Sequence, residues 1–504
     1  MKKSKLYIQG AMVLAIIVVL NLLSEVAYFR IDFTEDKRYT LGKATRSILE
    51  DLDDVITVKA YFTEDLPAQL GYIRNELRDQ FVEYENHSDG NFVFEFINPN
   101  VSNELKQEAM QNGITPVSIN VVEDDQRQQI QAFMGVLIQA DDQKEVIPLV
   151  QPGSGLEYEI TTSIKKITLK QKPKIGIIQS SNGVSIGAIP QLIQQLSVMY
   201  ETVPFHLSDS FEITPNFSCM IWISPNDTIP SIDFDKINKY LDKGGNLFLA
   251  YSSILGNLQT AGISAKPDIG LKGWLQSKGV LMGDQVVIDA ACASVTVQQQ
   301  QGFFTMNSQI EFPYFPQIRK FKKHPITAGL ESMMLPFSSS LSIIGSDTTL
   351  AIKAVLQTSE MSGTQNTPNY MNVQKKWVEQ DFTAPNQILA LSFENMGTGN
   401  GRMVVVSNGQ FINNGEGQQA QQLNADNINF AANAIDWLSD DTGLIGLRTK
   451  GITSRPLESI EDATKSLVKY GNVFSPILLI LIYGFIRRSS VQRKRQKWTQ
   501  GDYS

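Results

Sequence analysis

The stretch that most constrains this chain is Val473 to Ile486, an apolar run followed at once by Arg487, Arg488, Arg493, Lys494, Arg495 and Lys497. Such a run predicts a membrane helix with a basic anchor, because Lys and Arg beside a span hold their side of it in the cytoplasm. From Tyr470 to Ile486, between Lys469 and Arg487, a helix would rise about 26 Å, the low end for a bilayer core. At the other end Lys2, Lys3 and Lys5 precede Leu6 to Leu23, with Ala11 to Leu20 apolar throughout. That predicts a second membrane helix. The competing reading is a signal peptide cut after Ala27, but it puts Glu25 where a small residue is required. With both helices kept, both termini are cytoplasmic, the chain belongs to the cytoplasmic (inner) membrane, and a large ectodomain from about Arg30 to Lys465 lies in the periplasm.

Charge and cysteine content limit what that ectodomain does. The formal net charge is −8, and the basic ends contribute +3 (residues 1–5) and +5 (residues 487–504), which leaves −16 for residues 6–486. An acidic middle argues against nucleic acid as a partner. Cys219 and Cys292 are the only cysteines, so no disulfide framework supports the fold and stability must come from packed cores. With 42% hydrophobic and 19% charged residues, such cores are available.

Periodicity divides the chain into six parts: an N-terminal anchor (1–30), a stalk or docking segment (31–54), a first α/β module (55–170), a second α/β domain (171–440), a return stalk (441–467), and a C-terminal helix with its basic tail (468–504). In the first module, Val55–Phe62, Asn91–Ile97, Val117–Val122, Ile130–Ala140 and Lys144–Leu149 read as strands. Leu66–Asn86, Ser102–Gln111 and Leu156–Leu169 read as helices. The order βαβαβββα predicts a thioredoxin-like plan, with Gly113-Ile114-Thr115-Pro116 where such folds carry a cis-proline loop. The turn after the first strand reads Phe62-Thr63-Glu64-Asp65-Leu66-Pro67, so no thiolate is available for redox exchange.

From Lys174, strands and helices alternate: Ile175–Gln179, Ile189–Met199, a strand through Val203, Cys219–Ile223, Ile232–Leu241 and Asn246–Tyr251. This predicts a doubly wound α/β domain. Gly256 to Gln387 is less regular, with Ser359 to Asn372 expected as a surface loop. Strands resume at Ile388–Phe393 and Met403–Ser407, and Ala425–Leu438 is a helix.

Little of the sequence points to catalysis. Gly183-Val184-Ser185-Ile186-Gly187 matches the Gly-x-Ser-x-Gly nucleophile elbow between a strand and a helix, and Asp289 and His324 follow in hydrolase order. Against this, Ser180, Ser181 and Asn182 separate the strand from the motif, whereas an elbow needs a tight turn. A flexible turn is the plainer reading. His87, His206 and His324 show no metal-ligand spacing. No Gly-x-x-x-x-Gly-Lys-Ser/Thr motif occurs, so any ATP is hydrolysed by a partner. No cofactor is implied. Cys219, inside Met220-Ile221-Trp222-Ile223, reads as a core thiol, and Cys292 has no activating neighbour.

Several stretches together carry a family resemblance: Phe33 to Leu41, Glu157 to Lys166, Leu241-Asp242-Lys243-Gly244-Gly245, His324 to Leu330, Asn433 to Leu438, and Ile452 to Leu457. In that order and spacing the chain resembles the auxiliary-subunit family of ABC-type transport systems over nearly its full length. The resemblance implies a non-catalytic subunit working with a polytopic permease and a cytoplasmic ATPase in gliding motility. One departure is Ala250-Tyr251-Ser252-Ser253, where many relatives read Asp-Pro, which puts a ligand role for that strand end in doubt. The alternative class is a membrane-tethered serine hydrolase using Ser185.

Overall fold

The structure is a computed structural model. It describes residues 40–447 apart from short stretches at 65, 124–125, 152–154, 170, 180–182, 209–211, 215, 302–303, 346–349, 418–419, 441–442 and 446, together with Met12 and part of 469–493. Two compact units emerge, Met1–Ile452 and Thr453–Ser504.

The larger unit begins with α1 (Lys43–Glu50), followed by β1 (Ile56–Phe62), α2 (Ala68–His87), β2 (Phe92–Ile97) and α3 (Asn103–Gln111). Helix α2 forms because Ile73, Leu77, Phe81 and Tyr84 recur on one face and are fully buried. It stops where Asp89 and Gly90 both take positive φ (49° and 88°). At the start of α3, the Ser102 hydroxyl accepts the Leu105 amide at 3.2 Å. Next come β3 (Val117–Glu123), β4 (Gln126–Ala132), β5 (Met134–Ala140), β6 (Gln143–Ile147) and α4 (Leu156–Thr168). The sheet order is β2-β1-β5-β6, with β1 and β2 parallel and the other pairs antiparallel. Ile56, Val58, Ala60 and Phe62 face α2 and α4, while Tyr61 and Leu137 face Ala109 of α3. The single strand expected over Ile130–Ala140 breaks at Phe133. Its amide donates to the Thr63 hydroxyl (3.0 Å) and its carbonyl accepts the Thr63 amide, so β4 turns away to pair with β3. The Thr367–Pro368 bond is the one cis peptide among the described residues, so the bond before Pro116 is trans.

The second part runs through β7 (Lys174–Gln179), α5 (Pro190–Leu196), β8 (Glu201–His206), β9 (Phe217–Ile223), α6 (Ser231–Asp242) and β10 (Leu247–Ala250). There follow β11 (Ile254–Asn257), β12 (Gly262–Ala265), α7 (Leu271–Ser277), β13 (Val280–Asp289), β14 (Cys292–Gln301), β15 (Phe304–Ile318) and β16 (Met333–Met334). The domain closes with β17 (Ser339–Ile343), β18 (Ala351–Gln357), β19 (Ser362–Gln365), β20 (Asn369–Tyr370), β21 (Ile388–Met396), β22 (Gly401–Val406) and α8 (Ala425–Ser439). One large sheet has the order β19-β13-β17-β21-β22-β10-β9-β7-β8, with β18 also on β21. From β22 to β8 every pairing is parallel, and from β21 outward every pairing is antiparallel. Strands β7 and β9 are buried on both faces: Ile177, Cys219 and Ile221 pack with α5 and α8, and Ile178, Met220 and Trp222 pack with α6 and α7.

The irregular middle expected between Gly256 and Gln387 thus contains four strands of the antiparallel half, β13, β17, β18 and β19. Ser362–Gln365, placed in a surface loop by its polarity, is a strand paired with β13, and Ser362 is fully buried. Its polar side chains are satisfied inside: the Ser362 hydroxyl donates to the Ser359 carbonyl (2.8 Å) and accepts from Thr358 (2.7 Å).

Two terminal membrane helices are not supported. Among the described residues no helix is long and apolar enough to cross a membrane. Leu6–Leu23 lies outside the described residues except for Met12. At the other end the described residues 469, 474–475, 478 and 480–493 are helical, with Arg487, Arg488 and Arg493 among them, and the rest of Val473–Ile486 lies outside the described residues. The expected anchoring in the inner membrane with a periplasmic ectodomain falls with those helices.

Candidate functional site

One junction is organised by a buried carboxylate from the family-like stretch Glu157–Lys166; residues 33–39 and 452–457, two other family-like stretches, lie outside the described residues. Glu157 stands in the first turn of α4 with 8% of its surface exposed. Its Oε1 accepts the Gly42 amide at 2.5 Å and the Thr45 hydroxyl at 2.7 Å. Gly42 is the N-cap of α1, and its own amide, which has no partner within the helix, finds an acceptor on α4. Behind Glu157, the Tyr84 hydroxyl donates to the Glu157 carbonyl (3.1 Å) and pairs with the Thr161 hydroxyl (2.5 Å). Burial, reinforced by the Glu157 charge, holds the Tyr84 phenol far above its ordinary range, so it stays protonated.

The outgoing chain reaches the same place. A Cβ on Gly42 would lie 2.5 Å from Leu447 Cδ2, so the bare α-carbon makes room for that leucine. Leu444 and Leu447 cluster with Ala44, Ile48 and Tyr158. The Asp440 carboxylate shapes this segment by accepting the Gly443 (3.0 Å) and Ile445 (2.9 Å) amides. Arg402 of β22 lies over the Trp437 ring (5.2 Å) and donates from Nη1 to the carbonyls of Trp437 (2.8 Å) and Asp440 (3.3 Å). Hydrogen bonds and packing therefore run continuously from the large sheet through α8 and the outgoing segment to α1 and α4. Between α4 and α8 lies a small cavity of about 140 Å³ bounded by Tyr158, Thr162, Lys165, Tyr200, Asp436 and Ser439. The Tyr200 hydroxyl donates to Asp436 Oδ1 at 3.1 Å, and burial keeps that phenol protonated.

The other described resemblance-bearing stretches make contacts within the second part of the fold. Asn433 donates to the carbonyls of Ile326 (3.1 Å) and Ala328 (3.3 Å), which pins the 3-10 turn Pro325–Thr327 to α8. His324 caps that turn by accepting the Ile326 amide on Nδ1 (3.2 Å), with its ring 5.4 Å from that of Trp437. Burial, with Lys353 adding to it, lowers His324 to about 4, so the imidazole is neutral and suited to accept. Gly244, at φ 90°, and Gly399 approach so closely that a Cβ on Gly399 would sit 2.3 Å from the Gly244 nitrogen. These contacts hold elements together and offer no reacting pair.

The hydrolase candidates take separate partners. Ser185 begins the 3-10 turn Ile186–Ala188, and its hydroxyl donates to Glu416. The Asp289 carboxylate is buried and accepts the Ser359 amide (2.8 Å), the Ser359 hydroxyl (2.5 Å) and the Ala291 amide (2.9 Å). None of Ser185, Asp289 and His324 hydrogen-bonds another. His87 Nδ1 meets the Glu83 carbonyl (2.8 Å) at a helix end, and His206 is exposed at the end of edge strand β8. Among the described residues no cluster of His, Cys, Asp and Glu has the form of a metal site. Cys219 is buried and Cys292 partly so, with burial pushing the first thiol far up and the second to about 11. At the β10 end, the Ser252 hydroxyl accepts the Gly409 amide (2.8 Å) and Ser253 donates to the Gly283 carbonyl (2.7 Å), so both are spent on the fold.

Sequence reasoning assigned no role to Thr45, Tyr84, Arg402 or Asp440. Glu157 was visible as part of a resemblance-bearing stretch, and an acid in the first turn of a helix was its one local signal.

The fold and junction define an α/β protein in which the segments at Gly42 and Leu447 are brought together beside a buried carboxylate. Residues 172–439, more than half of the chain, match the family described as an ABC-type uncharacterized transport system, and the chain belongs to that family of transport auxiliaries. Residues 35–139 match a domain of unknown function. An uncharacterized protein of Borreliella burgdorferi (strain ATCC 35210 / DSM 4680 / CIP 102532 / B31) is 20% identical over 353 residues, 68% of each chain. Similar solved structures include the mmIFT52 N-terminal domain (14% identity, 53% of this chain and 97% of that one, TM-score 0.35). A ThuA-like protein from Parabacteroides merdae ATCC 43184 is also similar (10% identity, 53% and 90%, TM-score 0.28).

Proposed function

We propose that this chain is a non-catalytic auxiliary subunit that works with an ABC ATPase and a polytopic permease, most like GldG, the gliding-motility-associated ABC transporter subunit. In this reading residues 55–170 are a thioredoxin-like binding module without redox cysteines, and residues 171–440 are the second α/β domain. The observation that carries the proposal is the Glu157 junction. A displacement of the incoming segment at Gly42 is felt at once by α4, by the outgoing segment at Leu447 and, through Asp440 and Arg402, by the large sheet. A part that links chain ends to two domains is suited to relay motion from a nucleotide-driven partner, and the sequence contains no phosphate-binding loop of its own. The test is affinity isolation of the tagged chain from its native cells. ATPase and permease subunits of one ABC system should be retained by the wild type and lost or reduced in Glu157→Ala. Isolation without either subunit counts against the reading.

The serine-hydrolase alternative is disfavoured by the Ser185–Glu416 contact, since a carboxylate without an intervening histidine is a poor base for a serine hydroxyl. A fluorophosphonate probe that labelled Ser185 would reverse this preference.

A further inference from the structure

A cleft of about 560 Å³ opens where β13, β15 and β18 end. Its floor is apolar, formed by Ala290, Ala291, Ile318 and Phe321, with Met361 at its side and 45% exposed. Its rim is cationic: Arg319, Lys320 and Lys322 are all exposed, in a chain whose net charge is −8, and Glu360 is the single acid among the lining residues. Arg319 spends one N–H on Gln317 Oε1 (2.6 Å). Among the described residues, Lys320 and Lys322 have no ion-pair partner.

The backbone amides along this rim are open as well, while the Lys322 carbonyl accepts the Thr327 hydroxyl at 2.6 Å. Strand β15 last pairs at Ile318, opposite Met333, and the 3-10 turn starts at Pro325. Between them, Arg319 to Lys322 are neither helix, strand nor turn, and among the described residues their amides meet no protein acceptor. Unpaired amides beside an apolar floor are what an extended peptide uses, with main-chain hydrogen bonds giving affinity and side-chain pockets giving specificity. Three cations spread over four residues match several carboxylates along a line better than one small carboxylate.

We propose that this cleft binds an acidic, extended peptide segment of a partner protein. The segment lies along Arg319–Lys322, sets an apolar side chain on Ala290, Ile318 and Phe321, and brings its acids to the three rim cations. None of the Glu157 junction residues takes part, so the site stands or falls independently of coupling to an ATPase.

Fluorescence anisotropy of the full chain tests this with a labelled heptapeptide, Glu-Asp-Leu-Glu-Phe-Asp-Glu, and its equally charged control, Glu-Asp-Ser-Glu-Ser-Asp-Glu. The first should bind saturably and the control at least roughly tenfold more weakly. In the variant Lys320→Glu/Lys322→Glu, whose exposed positions leave the fold intact by circular dichroism, affinity for the first peptide should also drop at least roughly tenfold. Equal binding of both peptides, undiminished binding by the double variant, tighter binding of a ten-residue oligouridylate, or no binding at millimolar peptide would each overturn the proposal.

Discussion

The Glu157 carboxylate and the Gly42 amide, 115 positions apart in sequence, meet at 2.5 Å. That contact is a helix cap donated by a distant helix, and it makes the start of α1 dependent on α4.

The first prediction is that Glu157→Ala destabilises the protein by about 2–4 kcal/mol, because the partly buried Gly42 amide and the buried Thr45 hydroxyl lose their acceptor together. Glu157→Gln retains an acceptor oxygen and should cost less. Urea unfolding of Glu157→Ala, Thr45→Val and the double variant checks it. The two residues should show a coupling of about 0.5 kcal/mol or more, and strict additivity would contradict direct capping.

A second prediction concerns Gly42 and Leu447. Gly42 has φ −62°, which any residue adopts, so the objection to alanine there is steric only. Gly42→Ala should cost about 1–3 kcal/mol through overpacking against Leu447. Adding Leu447→Ala should remove most of that clash, so the double variant is more stable than the sum of the two single losses. A denaturant series on the four proteins decides it.

The third is a pH effect at His324. The folded imidazole titrates at about 4, below its unfolded value of 6.5, so between those values the unfolded chain binds more protons. His324 therefore stabilises the fold fully above about pH 6.5, and that contribution is lost as pH falls towards 4. Asparagine also caps turns, so His324→Asn should keep the Pro325–Thr327 turn while flattening the stability profile over that window. An unchanged profile in thermal melts at pH 4.5, 5.5 and 7 would refute the assignment.

A fourth prediction is chemical. With the Cys219 thiol raised far above its usual range and Cys292 raised to about 11, neither is ionised near neutral pH. Iodoacetamide at pH 7.5 should leave both unmodified in the folded protein and label both in urea, as read by intact-mass spectrometry. Cys219→Ser should lower stability without affecting partner isolation, since it places a hydroxyl in an apolar core.

Elements whose pattern is local were legible in the sequence. The helical spacing of Leu77, Phe81 and Tyr84 and the continuous apolar runs at Cys219–Ile223 and Met403–Val406 fixed type and approximate bounds without further context. Strands β17 and β19 of the antiparallel half were hidden because they are rich in Ser, Gly and Gln. Ser339, Ser362 and Gly363 become strand only through pairing with β13, a tertiary preference that no local window contains. The membrane expectation rested on apolar composition at both ends, whereas among the described residues no helix is long and apolar enough to cross a membrane. The junction was half legible. Glu157 lay in a stretch that stood out, but its purpose depends on meeting Gly42 and Leu447 in space, and neither of those lay in one.

The meeting of residues 42 and 447 also fixes where tension goes. If the two ends of the unit are pulled apart, the load passes across the Gly42–Leu447 contact and the Glu157 cap before it reaches either sheet. The joint then acts as a mechanical fuse in series with the strands: under force it yields first, and the roughly four hundred residues looped between those points stay slack until it does.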